Sequence, residues 1–188
     1  MIEKMLLLVI ALFPISEIVL AVMKRSIGGW EQNEDRGSMR LLWLSIVVGS
    51  TLAFVAQWVP WGRFNVSRSI VVAVALALMV FGLVIRWTAI VQLGRFFTVD
   101  VAIHTDHTVV QSGLYRHVRH PSYAGLLIAF LGLGVFFGNW VSIVGLLVPI
   151  GLGVLNRINK EEQALLAGLG SPYESYCART KRLFPGLY

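Results

Sequence analysis

The densest group of polar side chains lies in residues 107–125, which read HTVVQSGLYRHVRHPSYAG. More than half of these residues are His, Arg, Tyr, Ser, Thr or Gln, although long apolar segments surround them. Polar groups at the edge of a membrane helix cost free energy and are usually retained because they have a function. This stretch is therefore the first candidate for a ligand site.

A proline separates the polar stretch from a long apolar run. Pro121 lacks an amide proton and disfavours helical geometry in the residue before it, so a helix is predicted to begin at Pro121 with His120 outside it. The first turn of a helix presents unsatisfied amides and partial positive charge, which suit a carboxylate or a phosphate. We interpret the polar residues at this helix start as a ligand site rather than a belt of headgroup anchors: Tyr115, Arg116, Arg119, His120 and Tyr123.

A second polar cluster, Arg157, Lys160, Glu161 and Glu162, follows the last apolar run. On an isolated helix, an Arg–Glu pair spaced by four residues contributes only about 0.3–0.5 kcal/mol, so this cluster alone would be an ordinary solvated face. Two short membrane helices of similar length, however, return the chain to the face from which it started. The second cluster is therefore predicted to lie close to Arg119 and His120.

The composition indicates a membrane protein: 56% of residues are hydrophobic, 14% are charged and the mean hydropathy is +0.73. The apolar block from residue 121 to residue 155 is too long for one membrane helix, and Gly138-Asn139-Trp140 supplies a break within it. We predict one all-α integral membrane domain over 1–188, with a helical hairpin formed by its fourth and fifth spans. The predicted transmembrane helices cover residues 5–23, 41–59, 70–91, 121–137 and 140–155.

The remaining segments complete this plan. The first apolar segment is interpreted as a retained span rather than a signal peptide, because no small-residue cleavage site follows it promptly. Within it, Glu17 is expected to face other helices or the headgroup zone. The loop 92–120 is predicted to bind the cofactor, and 156–188 to form a short helical tail in which Ser171-Pro172 begins a new helix.

Basic residues predict the orientation. Twelve Lys and Arg residues lie in the segments 24–40, 92–120 and 156–188, whereas Lys4, Arg63 and Arg68 lie on the opposite side. By the positive-inside rule, the basic segments are cytoplasmic and the N-terminus is outside. The predicted location is thus an integral membrane, the inner membrane if the source is bacterial, with the site facing the cytoplasm.

Several classes of function do not fit the sequence. The net charge of +6 comes without a basic stripe interleaved with aromatics, so lipid headgroups are expected as partners and nucleic acid is not. One cysteine, Cys177, provides neither an internal disulfide nor a multi-cysteine metal site, and no metal is expected. Gly132-Leu-Gly134 and Gly151-Leu-Gly153 lie inside apolar spans and indicate close helix packing rather than a nucleotide-binding turn.

The two polar clusters carry a family resemblance. Gly-Leu-Tyr at 113–115, Arg-His-Pro-Ser-Tyr-Ala-Gly at 119–125 and Glu161-Glu162 together resemble the isoprenylcysteine carboxyl methyltransferase family. The resemblance covers roughly residues 85–188 and includes the ending Arg-Leu-Phe-Pro-Gly. The first two spans resemble the family only in being apolar membrane segments. The Arg-His-Pro-x-Tyr part alone is shared with membrane sterol reductases.

The resemblance implies an S-adenosylmethionine-dependent methyltransferase whose pocket lies between the polar loop and the C-terminal helices. Arg119 and Arg157 match family arginines that orient the cofactor and the acceptor carboxylate, and they are the implied catalytic residues. The implied acceptor is first the carboxylate of a prenylated cysteine or another lipid acid, and a thiol or an amine stays open, since the resemblance to small family members does not fix the acceptor. The implied cofactor-binding positions are His107, Val110, Gly113, Tyr115, His120, Pro121, Tyr123, Glu161 and Glu162.

The residues themselves agree with that chemistry. Methyl transfer from a sulfonium to a carboxylate is a direct displacement, and a carboxylate with a reference pKa near 4 is already ionised at neutral pH. The reaction needs positioning and exclusion of water rather than a general base. An arginine fork holds a carboxylate well.

Two other interpretations remain open at this point. A sterol-type reductase would bind NADPH in the same loop, although that loop is short for a dinucleotide and Glu161-Glu162 would repel its phosphates. A membrane protein that only binds lipid or a partner helix would explain the spans and the basic tail. It would leave the two polar clusters without a role.

Overall fold

The computed structural model describes residues 2–23, 32–97 and 108–186, which are helical almost throughout. The described residues form no β-strand, only two isolated bridges. The predicted all-α fold is confirmed. The six α-helices are α1 (Ile2–Met23), α2 (Gln32–Ala56), α3 (Arg68–Leu93), α4 (Pro121–Phe136), α5 (Trp140–Leu169) and α6 (Ser171–Arg179).

Length and apolar composition make the chain an integral membrane protein. Three described helical segments are long and apolar enough to cross a membrane: Gly37–Ala56, Arg68–Phe96 and Trp140–Leu169. Large apolar side chains on them, such as Val47 and Val91, are exposed, as expected where lipid replaces water as solvent. Helix α4 is a shorter apolar helix, and α1 covers the first predicted span. The number of five transmembrane helices stays a prediction.

Helix α2 differs from its prediction at both ends. It begins at Gln32, inside the predicted polar loop 24–40, because a helix can continue beyond the hydrocarbon layer into water, where polar side chains are hydrated. It ends at Ala56 because Pro60 has no amide proton to donate to the Ala56 carbonyl and its ring crowds that carbonyl, and a 3-10 turn, Pro60–Gly62, follows. The rest of the predicted loop, residues 24–31, lies outside the described residues.

The predicted helical hairpin is confirmed. Its tip bends at Gly138, which has a left-handed backbone (φ 67°) that glycine adopts without a side-chain clash. Asn139 caps α5 by accepting a hydrogen bond from the Val141 amide at 2.8 Å. Its Nδ2 also donates to the Val59 carbonyl at 2.9 Å, which fastens the hairpin tip to the turn between α2 and α3.

Helices α3 and α4 approach closely through glycines. A Cβ on Gly82 would lie 2.5 Å from the Ala129 amide nitrogen, and one on Gly132 would lie 2.7 Å from the Ala75 carbonyl oxygen. Gly153 lies similarly close to Ser45 of α2, whereas Gly151 has open space beside it. The predicted packing role therefore holds for Gly132 and Gly153. These contacts bring the end of α3 beside the start of α4.

The C-terminal segment folds back onto the start of α4. Helix α5 continues past its predicted span to Leu169, as expected for residues 156–169, and Gly170 (φ 59°) starts the turn into α6. The chain then runs beside the loop, where the Arg119 amide donates to the Lys181 carbonyl at 2.8 Å and the His120 amide to the Arg182 carbonyl at 2.9 Å. The polar loop, the end of α5 and the tail thus meet at one end of the bundle.

Candidate active site

The start of α4 has the predicted form. Pro121 is the first helical residue, and His120 before it is outside helical geometry (φ −125°, ψ 57°). His120 is 4% exposed, so its imidazole lies inside the protein rather than among headgroups. The proline keeps His120 out of the helix, and the packing of the tail against the start of α4 buries its side chain.

Glu162 joins the loop to the tail. One carboxylate oxygen, Oε1, accepts from Arg119 Nε at 2.8 Å and lies 3.2 Å from His120 Nε2. The other oxygen, Oε2, lies 2.8 Å from Arg182 Nη2. The predicted approach of this cluster to Arg119 and His120 is confirmed. Arg182 was not singled out from the sequence, although it begins the Arg-Leu-Phe-Pro-Gly ending.

Glu161 faces a different set of groups. The Tyr123 hydroxyl donates to Glu161 Oε2 at 3.1 Å, and His120 Nδ1 lies 4.0 Å from Oε1. The Glu161 side chain is 29% exposed, compared with 9% for Glu162. Of the two adjacent carboxylates, Glu162 is thus held within the protein framework and Glu161 remains accessible to a ligand.

The two arginines of the predicted site have different surroundings. Arg119 donates to Glu162 and, through Nη1, to the Cys177 carbonyl at 3.1 Å and to the Thr180 carbonyl. Arg157 is 2% exposed, and its Nη1 donates to the Ser38 hydroxyl of α2 at 2.7 Å. Arg119 therefore ties the tail to the loop, whereas Arg157 places a guanidinium between α5 and α2.

Three buried tyrosines surround the loop as neutral groups. Burial raises the pKa of Tyr115 and of Tyr173 well above the ordinary value, and burial raises the pKa of Tyr176 to about 12. Tyr176 donates to the Tyr115 carbonyl at 2.6 Å, and Tyr115 donates to the Ala89 carbonyl at 3.3 Å. The phenols stay protonated at neutral pH, so the Tyr115 and Tyr176 hydroxyls act as hydrogen-bond donors, whereas the buried Tyr173 hydroxyl has no hydrogen-bond partner among the described residues.

A cavity of about 380 Å³ unites most of the predicted residues. Its polar end is lined by Tyr115, Arg119, His120, Tyr123, Arg157 and Glu161, with Val110 beside them. From there it extends into an apolar arm between α1, α2 and α4, lined by residues such as Phe13, Leu42, Ile46 and Phe130. The shape suits a ligand with one polar end and a long apolar part.

Three predicted cofactor-binding residues lie outside the cavity lining. Pro121 starts the helix, and Glu162 supports Arg119 and His120 from behind. Gly113 has a left-handed backbone (φ 59°), and any side chain on it would collide with Gln92, whose Oε1 accepts a hydrogen bond from the Leu114 amide at 2.8 Å. His107 lies outside the described residues, as does the loop segment 98–107.

Several residues at the site were not predicted from the sequence to belong to it. Ser38 carries no pattern that distinguishes it, whereas Tyr173 shares a predicted helix face with Tyr176 and Cys177 that by itself indicates only packing. Glu17 and Arg86 did carry a signal, since each is a charge inside an apolar span, but nothing in the sequence shows that they meet. Within the part of the chain that the structure describes, no group of three or more His, Cys, Asp or Glu residues could hold a metal ion.

Fold and site together define an integral membrane protein with a ligand cavity that is polar at one end of its helical bundle and apolar between its helices. The model of the isoprenylcysteine carboxyl methyltransferase (ICMT) family matches residues 74–167, half of the chain. The chain belongs to this family.

Individual relatives agree with the family assignment. The protein-S-isoprenylcysteine O-methyltransferase of Schizosaccharomyces pombe is 33% identical over 147 residues, which are 71% of this chain and 62% of that protein. A probable protein-S-isoprenylcysteine O-methyltransferase of Oryza sativa subsp. japonica is 35% identical over 114 residues, 60% of each chain. The chain therefore spans about 60% of the length of these relatives.

A solved structure has the same fold. The eukaryotic intramembrane Ras methyltransferase ICMT superposes with a TM-score of 0.64 at 23% sequence identity. The match covers 99% of this chain and 67% of that one. At this level of identity the likeness concerns the fold.

Proposed function

We propose that this protein is an S-adenosylmethionine-dependent methyltransferase that acts at the membrane on the carboxylate of a lipophilic acid, with a prenylated cysteine as the first acceptor to test. The curated relatives are named for that activity. We further propose that the site faces the cytoplasm, because the basic segments 92–120 and 156–188 both contribute to it. In a bacterial source the membrane would be the inner one.

One observation carries the proposal: a single cavity joins a polar end to an apolar arm. The polar end supplies charged and hydrogen-bonding side chains for a methyl donor and a carboxylate. The apolar arm lies between membrane helices, where an isoprenoid chain can remain out of water. A reaction between a water-soluble methyl donor and a lipophilic acceptor needs a site where a polar and an apolar part of one cavity meet.

The residues at the polar end fit the donor. When bound, S-adenosylmethionine supplies an electrophilic methyl group on a sulfonium that also carries an ammonium and a carboxylate. Glu161 provides an accessible negative charge for a cationic group, and the buried Tyr115 and the half-buried Tyr123 provide aromatic surface. His120 and the supporting Glu162 hold the wall in place. No dinucleotide is needed to account for these side chains.

Arg157 is the proposed holder of the acceptor. Its guanidinium is buried beside the cavity, and a planar guanidinium binds a carboxylate through two parallel hydrogen bonds. Such a grip fixes the carboxylate plane while one oxygen lone pair remains directed at the methyl carbon. Arg119 is proposed to contribute by holding Glu162 and the tail, and so the shape of the polar end.

The proposed reaction balances without a general base. A carboxylate oxygen forms a bond to the methyl carbon as the carbon–sulfur bond breaks, and the bonding pair goes to sulfur. A sulfonium and a carboxylate become a neutral thioether and a neutral ester, so charge disappears along the reaction path. A cavity that excludes water favours such a step, because the ionic ground state is solvated less well there than in bulk water.

The decisive experiment offers the detergent-purified protein tritiated S-adenosylmethionine and a farnesylcysteine acid. We expect label in the lipid product and its release as methanol on treatment with base, because esters hydrolyse. Label that resists base would show a thiol or amine acceptor instead. Calorimetry against NADPH and S-adenosylmethionine separates the reductase interpretation, and binding of neither would leave the non-enzymatic one.

A further inference from the structure

Tyr173 of α6 carries a buried hydroxyl that makes no hydrogen bond within the described part of the chain. The side chain is 3% exposed. The Cys177 thiol, one turn later on the same helix, interacts with this phenol, but a thiol is only a weak hydrogen-bond acceptor. A buried hydroxyl without a strong partner costs free energy, because water satisfies it in the unfolded chain. Such groups are few in native proteins, and each calls for an explanation.

The packing of α6 needs the ring of Tyr173 but not its hydroxyl. The rings of Tyr173 and Tyr176 lie side by side with centroids 6.0 Å apart. The Tyr176 hydroxyl donates to the Tyr115 carbonyl at 2.6 Å and so fastens α6 to the polar loop. No such bond depends on Tyr173 among the described residues, and a phenylalanine ring would fill the same space. The Tyr173 hydroxyl therefore serves something other than the fold.

Tyr173 belongs to the wall of the cavity, together with Arg119 and Glu161. Burial first, and then neighbouring groups that include Glu162 and Glu161, raise the pKa of its phenol, whereas Arg119 lowers it. The phenol thus lies among these charges and stays protonated at neutral pH. A protonated phenol donates a hydrogen bond, so the group that it fits is a hydrogen-bond acceptor on a ligand.

The charges around Tyr173 select the kind of acceptor group. A carboxylate brought alone to this place would be repelled by Glu161 and Glu162, although Arg119 would attract it. A carboxylate that carries an ammonium on the same carbon atom meets both needs, because Glu161 can take the ammonium while Tyr173 donates to the carboxylate. S-adenosylmethionine ends in this zwitterion.

We propose that Tyr173 is a cofactor-binding residue whose hydroxyl donates a hydrogen bond to the carboxylate of the methyl donor, while Glu161 holds the ammonium. The inference rests on the proposed function in taking S-adenosylmethionine as the donor. A hydrogen bond to an ionised acceptor is roughly twice as strong as one between neutral groups. The bound donor thereby satisfies a hydroxyl that the protein leaves without a strong partner.

Two ligands that differ by one carboxylate test the inference by calorimetry in detergent. The first is S-adenosylhomocysteine, and the second is its decarboxylated analogue, which keeps the ammonium. Tyr173→Phe should weaken the binding of S-adenosylhomocysteine about tenfold or more, the effect of losing a hydrogen bond to a charged group. The analogue should bind Tyr173→Phe and the wild type equally. Without ligand, the thermal midpoint of Tyr173→Phe should match or exceed that of the wild type, because no partner is left unsatisfied.

Tyr176→Phe is the matched control, since it removes the neighbouring hydroxyl from the same helix. It leaves the Tyr115 carbonyl without its donor at 2.6 Å, so the thermal midpoint should fall. Any loss of affinity in this variant should be the same for both ligands.

Kinetics give a second signature. The carboxylate of the donor lies away from the transferred methyl group, so its hydrogen bond is equally strong before and during the reaction. Tyr173→Phe should therefore raise KM for S-adenosylmethionine by the factor seen in binding and leave kcat unchanged.

Unchanged affinity of Tyr173→Phe for S-adenosylhomocysteine overturns the inference, as does an equal loss for the decarboxylated analogue. A midpoint that falls as far as that of Tyr176→Phe also overturns it, because the hydroxyl would then be structural. A wild type that binds no S-adenosylhomocysteine would refute the proposed donor and this inference with it. A wild type that binds it but methylates no carboxylic acid would refute only the proposed acceptor.

Discussion

The surroundings of each charged residue indicate how it acts. Arg119 lines the cavity, but its hydrogen bonds among the described residues go to Glu162 and to tail carbonyls. Glu162 contacts Arg119, His120 and Arg182, whereas Glu161 and Arg157 line the cavity with groups that can reach a ligand. Two residues of one type, or two neighbours in the chain, are thereby given different tasks. The difference comes from what each side chain touches.

At the residue scale, Arg157→Ala should lower methyl transfer by about a hundredfold or more, the effect of losing a positioning contact. Donor affinity should stay within a few fold, because Arg157 is proposed to hold the acceptor. Arg157→Lys should rescue poorly, since an ammonium cannot form the two-pronged grip. Labelled-methyl transfer and calorimetry measure the two effects.

The control for Arg157 is Arg63→Ala, which removes an exposed arginine in the turn between α2 and α3, at the end of the bundle opposite the site. Its transfer rate should match the wild type. Methylation by Arg157→Ala at the wild-type rate would reduce Arg157 to a structural contact with Ser38.

Glu162 gives a second prediction at this scale. Glu162→Ala leaves Arg119, His120 and Arg182 without their shared carboxylate, and removing one partner of a buried charged group costs about 3–5 kcal/mol. We expect a lower thermal midpoint, faster proteolysis of the C-terminal segment and weaker donor binding. Glu161→Ala should weaken donor binding with a smaller change in the midpoint, because Glu161 is more exposed. Equal midpoints for the two variants would contradict this division of roles.

At the scale of elements, the site depends on how closely α3 and α4 pack. The glycine contacts between these helices place Arg86 of α3 beside Ser122, in the first turn that also positions His120. The chain then needs the α4–α5 hairpin to bring Glu161 and Glu162 back to that turn. Helix packing, rather than any loop, thus sets the distances within the site.

Gly82→Ala should therefore lower the thermal midpoint, because the added Cβ would lie 2.5 Å from backbone atoms of α4. Forcing atoms into a close-packed contact costs about 1–3 kcal/mol. Gly151→Ala is the matched control, since a Cβ there meets nothing within 4 Å. Alanine favours a helix over glycine by about 1 kcal/mol, so its midpoint should be unchanged or higher. Thermal unfolding in one detergent compares them.

At the scale of the whole molecule, the distribution of basic residues agrees with the arrangement of the two ends of the helical bundle. The polar loop, the end of α5 and the tail meet at one end of the bundle, and the hairpin tip meets the turn after α2 at the other. The contact of Glu17 with Arg86 puts the later half of α1 beside the later half of α3. Lys4 therefore lies toward the end that carries Arg63 and Arg68, as the distribution of basic residues predicts.

The orientation in the membrane follows from the positive-inside rule and can be tested by labelling single cysteines in a Cys177→Ser background. Cysteines placed at positions 107 and 188 should react with an impermeant reagent only from the cytoplasmic side. A cysteine at position 4 should react only from outside. The reverse pattern at position 4, or at position 188, would contradict the predicted topology.

The sequence by itself determined the local features of this protein. Apolar runs, Pro121 and the Gly138-Asn139-Trp140 break follow rules that act within a few residues, so the helices, the non-helical backbone of His120 and the hairpin were predictable. The approach of Glu161 and Glu162 to Arg119 and His120 was also predictable, because two membrane spans of similar length return the chain to the membrane face at which the first span began. The ends of helices that consist of polar residues were less predictable. Hydropathy shows which residues lie in the membrane but not where a helix begins, and α2 begins before its apolar part.

Only the tertiary structure decided which charges meet. Glu17 and Arg86 are 69 positions apart in the chain, and Arg157 and Ser38 are 119 apart. No local pattern encodes such contacts, because they depend on how whole helices cross. Only the tertiary structure likewise showed that Glu161 lines the cavity whereas Glu162 contacts other protein groups. The two residues are neighbours in the sequence, but their side chains leave α5 in different directions. A helix turns by about 100° per residue, and that rotation separates a carboxylate of the cavity from one of the framework.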